Sequence, residues 1–189
     1  LLKEINIPSF ITSIGTGAFY KCSSLKQVSY ETNSTVESIG KCAFAECGKL
    51  QRITIPSSIT SIGNGAFYKC MCLRQVDFQY PSCLTSIGEN TFKYCRALRK
   101  IYIPSSVSFI HSSAFDLCRS LDKKCLTQRY EKTNESNHNI ISFQPFTDDK
   151  SFQPFTDDKS FQEFTDDKSF QDFTDDKSFQ DFKNDIFDK

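Results

Sequence analysis

Nine cysteines in a chain of 189 residues are the side chains with the most chemistry open to them. Thiols can pair into disulfides, ligate soft metals or act as nucleophiles. Nine is odd, so they cannot all pair within one chain. Zinc is disfavoured, because the sequence has no Cys-x-x-Cys pair and its only histidines are His111 and His138. Those two lie in dissimilar settings, and no phosphate loop or nucleophile motif accompanies them. The expectation is a chain with no catalytic residue, no metal and no cofactor.

Spacing organises five of the thiols. Cys22, Cys47, Cys70, Cys95 and Cys118 lie 25, 23, 25 and 23 residues apart. Each follows a phenylalanine by three residues (Phe19, Phe44, Phe67, Phe92, Phe115) and precedes a leucine by three (Leu25, Leu50, Leu73, Leu98, Leu121). Self-similarity at such a period marks a stacked-repeat solenoid. A stacked core has room for a small apolar side chain at this position, so these cysteines read as buried thiols. Disulfides between rungs stay open here, since stacked strands lie ~4.8 Å apart and disulfide Cα atoms ~4.4–6.8 Å. Cys42, Cys72, Cys83 and Cys125 lie off the ladder.

The elements that position the ladder are readable in the third copy: Leu50, Ile53, Ile55, Pro56, Ile59, Ile62, Gly63, Ala66, Phe67, Cys70, Leu73. Ile53 and Ile55 alternate with polar neighbours, as in a strand with one buried face. Proline ends the strand because it has no amide hydrogen for the ladder. Gly15, Gly40, Gly63 and Gly88 fill the turn after the second isoleucine, where a residue without Cβ bends easily. Gly-Ala-Phe-Tyr-Lys-Cys has the spacing of a short helical turn, too short to stand without packing. No single copy buries its own apolar row, so stacking is obligatory. The fold expected is a repeat solenoid of about five rungs, with short parallel β-strands and short helical turns, over residues 1–126. The second and fourth rungs carry two extra residues, at Ser29–Glu37 and Asp77–Thr85, so a pair of rungs is the unit of duplication. Beyond Leu121 the pattern would put Lys124 in the core, which ends the array near Leu126.

The phrases Ile55-Pro56-Ser57-Ser58-Ile59-Thr60-Ser61-Ile62-Gly63, Gly65-Ala66-Phe67-Tyr68-Lys69-Cys70 and Ile103-Pro104-Ser105-Ser106-Val107 resemble the BspA-like, or treponemal-class, leucine-rich repeats. Departures are Thr91 for alanine, His111 for glycine, and the two insertions. The resemblance implies a curved solenoid of short parallel strands. It also implies a cell-surface protein of a host-associated microbe, linked to adhesion, and no catalytic residues. A cytoplasmic scaffold with reduced thiols, whose tail recruits partners, is the alternative.

Outward strand positions supply the candidate binding face. The pair after each ladder leucine reads Lys3-Glu4, Lys26-Gln27, Gln51-Arg52, Arg74-Gln75 and Arg99-Lys100. Stacking is expected to align Lys3, Lys26, Arg52, Arg74 and Arg99 in one basic stripe, with Lys100 and Tyr102 beside it. Such a stripe either keeps the edge solvated or docks an acidic partner, a protein segment or an anionic glycan on another cell or matrix. Nucleic acid fits less well, for no stacking platform or groove-reading helix accompanies the cations.

Charge divides the chain. Residues 1–141 hold 17 Lys/Arg against 10 Asp/Glu, and residues 142–189 hold 6 against 13. After a polar linker, 127–141, the nonapeptide Ser-Phe-Gln-Pro-Phe-Thr-Asp-Asp-Lys recurs from Ser142 with a drifting fourth residue. An odd period of nine builds no single apolar face on helix or strand, so residues 142–189 are expected to be disordered. Their eleven phenylalanines suggest weak multivalent anchors, including self-association through the tail. No apolar run is long enough to span a bilayer. The chain opens in mid-rung without methionine, which reads as a fragment.

Overall fold

The computed structural model describes residues 1–126 with their side chains, and the backbone of 128–132 and 138–142. The expectations of disorder and self-association for the tail fall outside these residues. The chain divides into two units, Leu1–Thr147 and Asp148–Lys189, and every described element belongs to the first.

Each rung lays down a longer strand and then a two-residue one. In chain order they are β1 (Glu4–Ile7), β2 (Ser13–Ile14), β3 (Gln27–Tyr30), β4 (Ser38–Ile39), β5 (Arg52–Ile55) and β6 (Ser61–Ile62). These are followed by β7 (Gln75–Phe78), β8 (Ser86–Ile87), β9 (Lys100–Ile101) and β10 (Phe109–Ile110). The longer strands form one parallel sheet in the order β1-β3-β5-β7-β9. The short ones form a second face, β2-β4-β6 and then β8-β10. Register puts Ile5 opposite Val28 and Ile53 opposite Val76, so alternation drives the same column inward at every level.

The third face holds the ladder phenylalanines. Phe19, Phe44, Phe67, Phe92 and Phe115 stack ring on ring, with centroids 5.0, 5.4, 5.3 and 5.3 Å apart. The expected short helix is instead a run of turns in the first four rungs, and in the last rung this segment forms a 3-10 helix, Ser112–Phe115. The backbone explains why. Gly17, Phe19 and Lys21 donate their amides to Lys41, Ala43 and Ala45 of the next rung, and Cys42, Phe44 and Glu46 repeat the pattern. An amide committed to the next rung is lost to a continuous helical ladder.

The turn glycines have a different role from the one the sequence suggested. A Cβ at Gly63 would stand 2.5 Å from the Lys41 nitrogen and 2.7 Å from the Gly40 carbonyl carbon. One at Gly40 would meet the Thr16 nitrogen at 2.5 Å, whereas at Gly15, in the first rung, it would meet nothing within 4 Å. At Gly40 and Gly63 backbone stacks on backbone, while at Gly88 a Cβ would meet the Asn64 side-chain oxygen at 2.7 Å.

After the fifth rung it is Cys125, not Lys124, that turns inward. Lys123–Leu126 forms a 3-10 turn that buries Cys125 and leaves Lys124 exposed. Within the segment read as a linker, β11 (Gln128–Lys132) pairs antiparallel with β12 (His138–Ser142), setting Tyr130 opposite Ile140. Tyrosine and isoleucine favour strands, a preference that the polar composition around them hides.

Candidate functional site

All nine cysteines are free thiols, and the ladder cysteines do more than fill space. Cys47 Sγ donates to the Phe19 carbonyl at 3.1 Å, Cys70 to Phe44 at 3.1 Å, Cys95 to Phe67 at 3.2 Å and Cys118 to Phe92 at 3.0 Å. Each bond ties one rung to the one before it. Burial pushes the Cys47 thiol up to about 12, with the neighbouring Cys22 thiol adding to the effect. Burial also raises Cys22, Cys70 and Cys95. A thiol held protonated is neither a nucleophile nor a ready metal ligand. Among the described residues no group of three or more His, Cys, Asp or Glu is placed to hold a metal ion.

The strand face is where polar side chains gather. Lys3, Lys26, Arg74, Arg99 and Lys100 are all exposed, as are Arg52 and Tyr102. They do not form the single stripe expected. Pairing of Glu4 with Gln27, Gln27 with Arg52, Arg52 with Gln75 and Gln75 with Lys100 makes one row. Lys3, Lys26, Gln51, Arg74 and Arg99 make the adjacent row, one residue earlier at each strand entry. Lys26 N donates there to Lys3 O at 2.7 Å, and Arg74 N to Gln51 O at 2.8 Å. Arg52 thus sits out of line with Lys26 and Arg74, because the third rung carries glutamine at the earlier position. Offsetting it relieves repulsion that a strict column of like charges would suffer.

Arg52 is also held in place. Its Nη2 donates to Gln75 Oε1 at 2.7 Å, and Gln75 Nε2 donates to Asp77 Oδ1 at 2.8 Å. Sequence reading passed over Gln75, although its place between Arg52 and Lys100 follows from the rung period. A third outward row carries Asn6 opposite Ser29 and Thr54 opposite Asp77, with Tyr102 one residue beyond Ile101. Lys26, Arg52, Thr54, Gln79 and Glu4 help to line an open depression of about 600 Å³ on this face. The surface offers cations and amides at intervals of one rung, ~4.8 Å. The depression is open to solvent and lined chiefly by polar side chains.

Residues 1–122 match the family model of the BspA type leucine rich repeat region, in six copies. The crystal structure of the pneumococcal vaccine antigen PcpA is similar at TM-score 0.60 and 28% identity, over 67% of this chain and 32% of that one. A leucine-rich repeat protein of T. pallidum is similar at TM-score 0.58 and 37% identity, over 64% of this chain and 56% of that one. One from Bacteroides ovatus gives TM-score 0.50 and 29% identity, over 63% and 36%. The chain therefore spans well under two thirds of each of these proteins. No curated protein matches it. No helix among the described residues is long and apolar enough to cross a membrane.

Proposed function

The chain belongs to the BspA-type leucine-rich repeat family, and from that premise we propose that it is a non-enzymatic adhesion module that binds an acidic partner through its strand face. The carrying observation is the paired basic rows, in which Lys3, Lys26, Arg52, Arg74, Arg99 and Lys100 stand over five parallel strands against Glu4 and Asp77. Stacked repeats present extended surfaces of this kind for binding. Regular cation spacing on a rigid sheet suits a linear polyanion, an acidic protein segment or an anionic glycan, and steers its approach. The similarity to a pneumococcal vaccine antigen supports a place at the cell surface.

The test is retention on immobilised heparin and on immobilised polyglutamate, at rising salt. The Arg52→Glu/Arg74→Glu variant should lose salt-sensitive retention on at least one of them. Retention unchanged on both, with the fold intact by circular dichroism, removes the strand face as the binding surface.

A second reading rests on the exposed thiols Cys72 and Cys83. Accessible free cysteines suit a reducing compartment, where the chain would be a scaffold and the phenylalanine-rich repeats would recruit its partners. The buried ladder thiols report little on compartment, since they are inaccessible in either. Trapping thiols in the source cells before lysis discriminates: Cys72 and Cys83 reduced supports the scaffold, and both oxidised or capped supports export.

A further inference from the structure

The turn face carries a second charged surface, remote in character from the strand rows. Three cations from two rungs surround the Tyr94 ring. The half-buried Lys69 Nζ lies 5.9 Å from its centroid, the buried Lys93 Nζ 5.8 Å and the half-buried Arg96 Cζ 5.7 Å. Tyr68 meets the same ring edge-on at 5.6 Å, and Lys69 also covers Tyr68 at 5.1 Å. Each cation gains from the ring's electron-rich face, which offsets part of their mutual repulsion.

The backbone fixes this grouping. Lys21, Glu46, Lys69, Tyr94 and Leu117 each precede a ladder cysteine by one residue, and all five are left-handed, with φ between 57° and 64°. Left-handed backbone is unfavourable for a residue with a Cβ. The amides of Lys21, Glu46, Lys69 and Tyr94 hold it by donating to the next rung, at 2.9, 2.7, 2.9 and 2.9 Å. Lys69, Tyr94 and Leu117 therefore stand in one row at successive levels. Met71 and Arg96, each one residue after its ladder cysteine, make the row beside it, where Ala97 N donates to Met71 O at 3.3 Å.

Two large apolar side chains are open at this place: Met71 is 48% exposed and Leu117 43%. Arg119 continues the row of Met71 and Arg96 and is exposed, while the acids are Asp116, one rung beyond Lys93, and Glu46, one rung before Lys69 in its own row. Cations outnumber acids, and they frame apolar side chains instead of standing alone as on the strand face. A sulfated glycan would use the charges but leave Met71 and Leu117 in water. A peptide with acidic and large apolar residues interleaved would use both, with the thioether adapting to what it meets.

We propose that the turn face around Tyr94 is a second docking surface, for an acidic peptide segment carrying aromatic side chains. Because the row is set by backbone hydrogen bonds, its backbone needs no ordering on binding. The strand face would also take an acidic segment, and what separates the two readings is the demand here for apolar side chains to meet Met71 and Leu117.

The probe is the fluorescein-labelled peptide Asp-Phe-Asp-Asp-Phe-Asp, titrated with the full chain and read by anisotropy. Saturable binding is expected, about tenfold weaker for Lys69→Gln/Arg96→Gln. Met71→Ser/Leu117→Ser removes exposed groups only, and should weaken the peptide by several-fold without lowering the melting temperature. Arg74→Gln/Arg99→Gln removes the strand face as a rival site for an acidic segment, and in that background the peptide should still bind and still be weakened by Met71→Ser/Leu117→Ser. The proposal is overturned if the peptide does not bind. It is equally overturned if the serine-for-phenylalanine peptide binds as well, or if the strand-face variant is the one that loses binding.

Discussion

Cys70 donates its thiol hydrogen to the carbonyl oxygen of Phe44, 3.1 Å away and 26 residues earlier in the chain. The Phe44 carbonyl already accepts from Cys47 N at 3.2 Å, so the thiol occupies its second lone pair. The bond runs between rungs, in a site with no access to water. The ladder cysteine is thus both a filler and a rung-to-rung tie.

Replacing it separates the two roles. Cys70→Ala removes both and should cost about 2 kcal/mol in a urea melt, from lost burial and the lost bond. Cys70→Ser keeps a donor and should cost less than alanine. A serine variant less stable than the alanine one would mean that the site values only apolar volume.

Burial of these thiols makes stability depend on pH. Burial first, and the neighbouring Cys22 thiol second, lift the folded Cys47 group to about 12 from an ordinary 9.0. Between those values the folded chain holds a proton that the unfolded chain has released. Stability is therefore complete below pH 9 and falls as pH rises through the window towards 12, by at most about 1.4 kcal/mol per pH unit for one such thiol. Cys70 and Cys95 shift the same way. The urea midpoint should drop between pH 8 and pH 10, and drop less in Cys47→Ala. An identical slope in the two proteins would assign the loss to other groups.

The sequence disclosed the stacking because period, phenylalanine and cysteine repeat in phase. Row identity within the strand face was not disclosed. Each rung offers two outward positions side by side, and placing Arg52 with Lys26 ignores the one-residue offset that register imposes. The turn glycines were found by position, yet their cause is contact with the rung before, which one rung read alone cannot show. The grouping around Tyr94 was missed for a related reason. It depends on left-handed residues in the turns, and nothing in Lys69 or Tyr94 as residue types announces that conformation.

That view of the glycines gives a paired test. Gly63→Ala puts a Cβ 2.5 Å from backbone, where no flexible side chain can yield, so the rungs must separate. A loss of roughly 1–3 kcal/mol is expected, as for overpacking in a tight core. Gly15→Ala meets nothing within 4 Å and should be neutral within about 0.5 kcal/mol. Calorimetric scans of the two variants decide it. Equal losses would return the glycines to a role in bending the turn.

Position in the stack should grade the phenylalanine ladder in the same manner. Phe67 is fully buried between Phe44 at 5.4 Å and Phe92 at 5.3 Å, with both ring planes within 4° of its own. Phe19 is half-buried and has one stacked neighbour, Phe44, at 5.0 Å. Truncating Phe67 to alanine leaves a cavity flanked by two rings that backbone hydrogen bonds keep in place, because Phe44 N and Phe92 N each donate to the next rung. The site cannot collapse, so the cost should reach about 3–5 kcal/mol. Truncating Phe19 opens a site that water already reaches, and should cost less than half as much. Repeat stability passes through nearest-neighbour contacts, so Phe67→Ala should also broaden the urea transition as the flanking rungs uncouple, while Phe19→Ala should shift it without broadening. Equal midpoints for the two variants would mean that the rings do not stabilise the array as a stack.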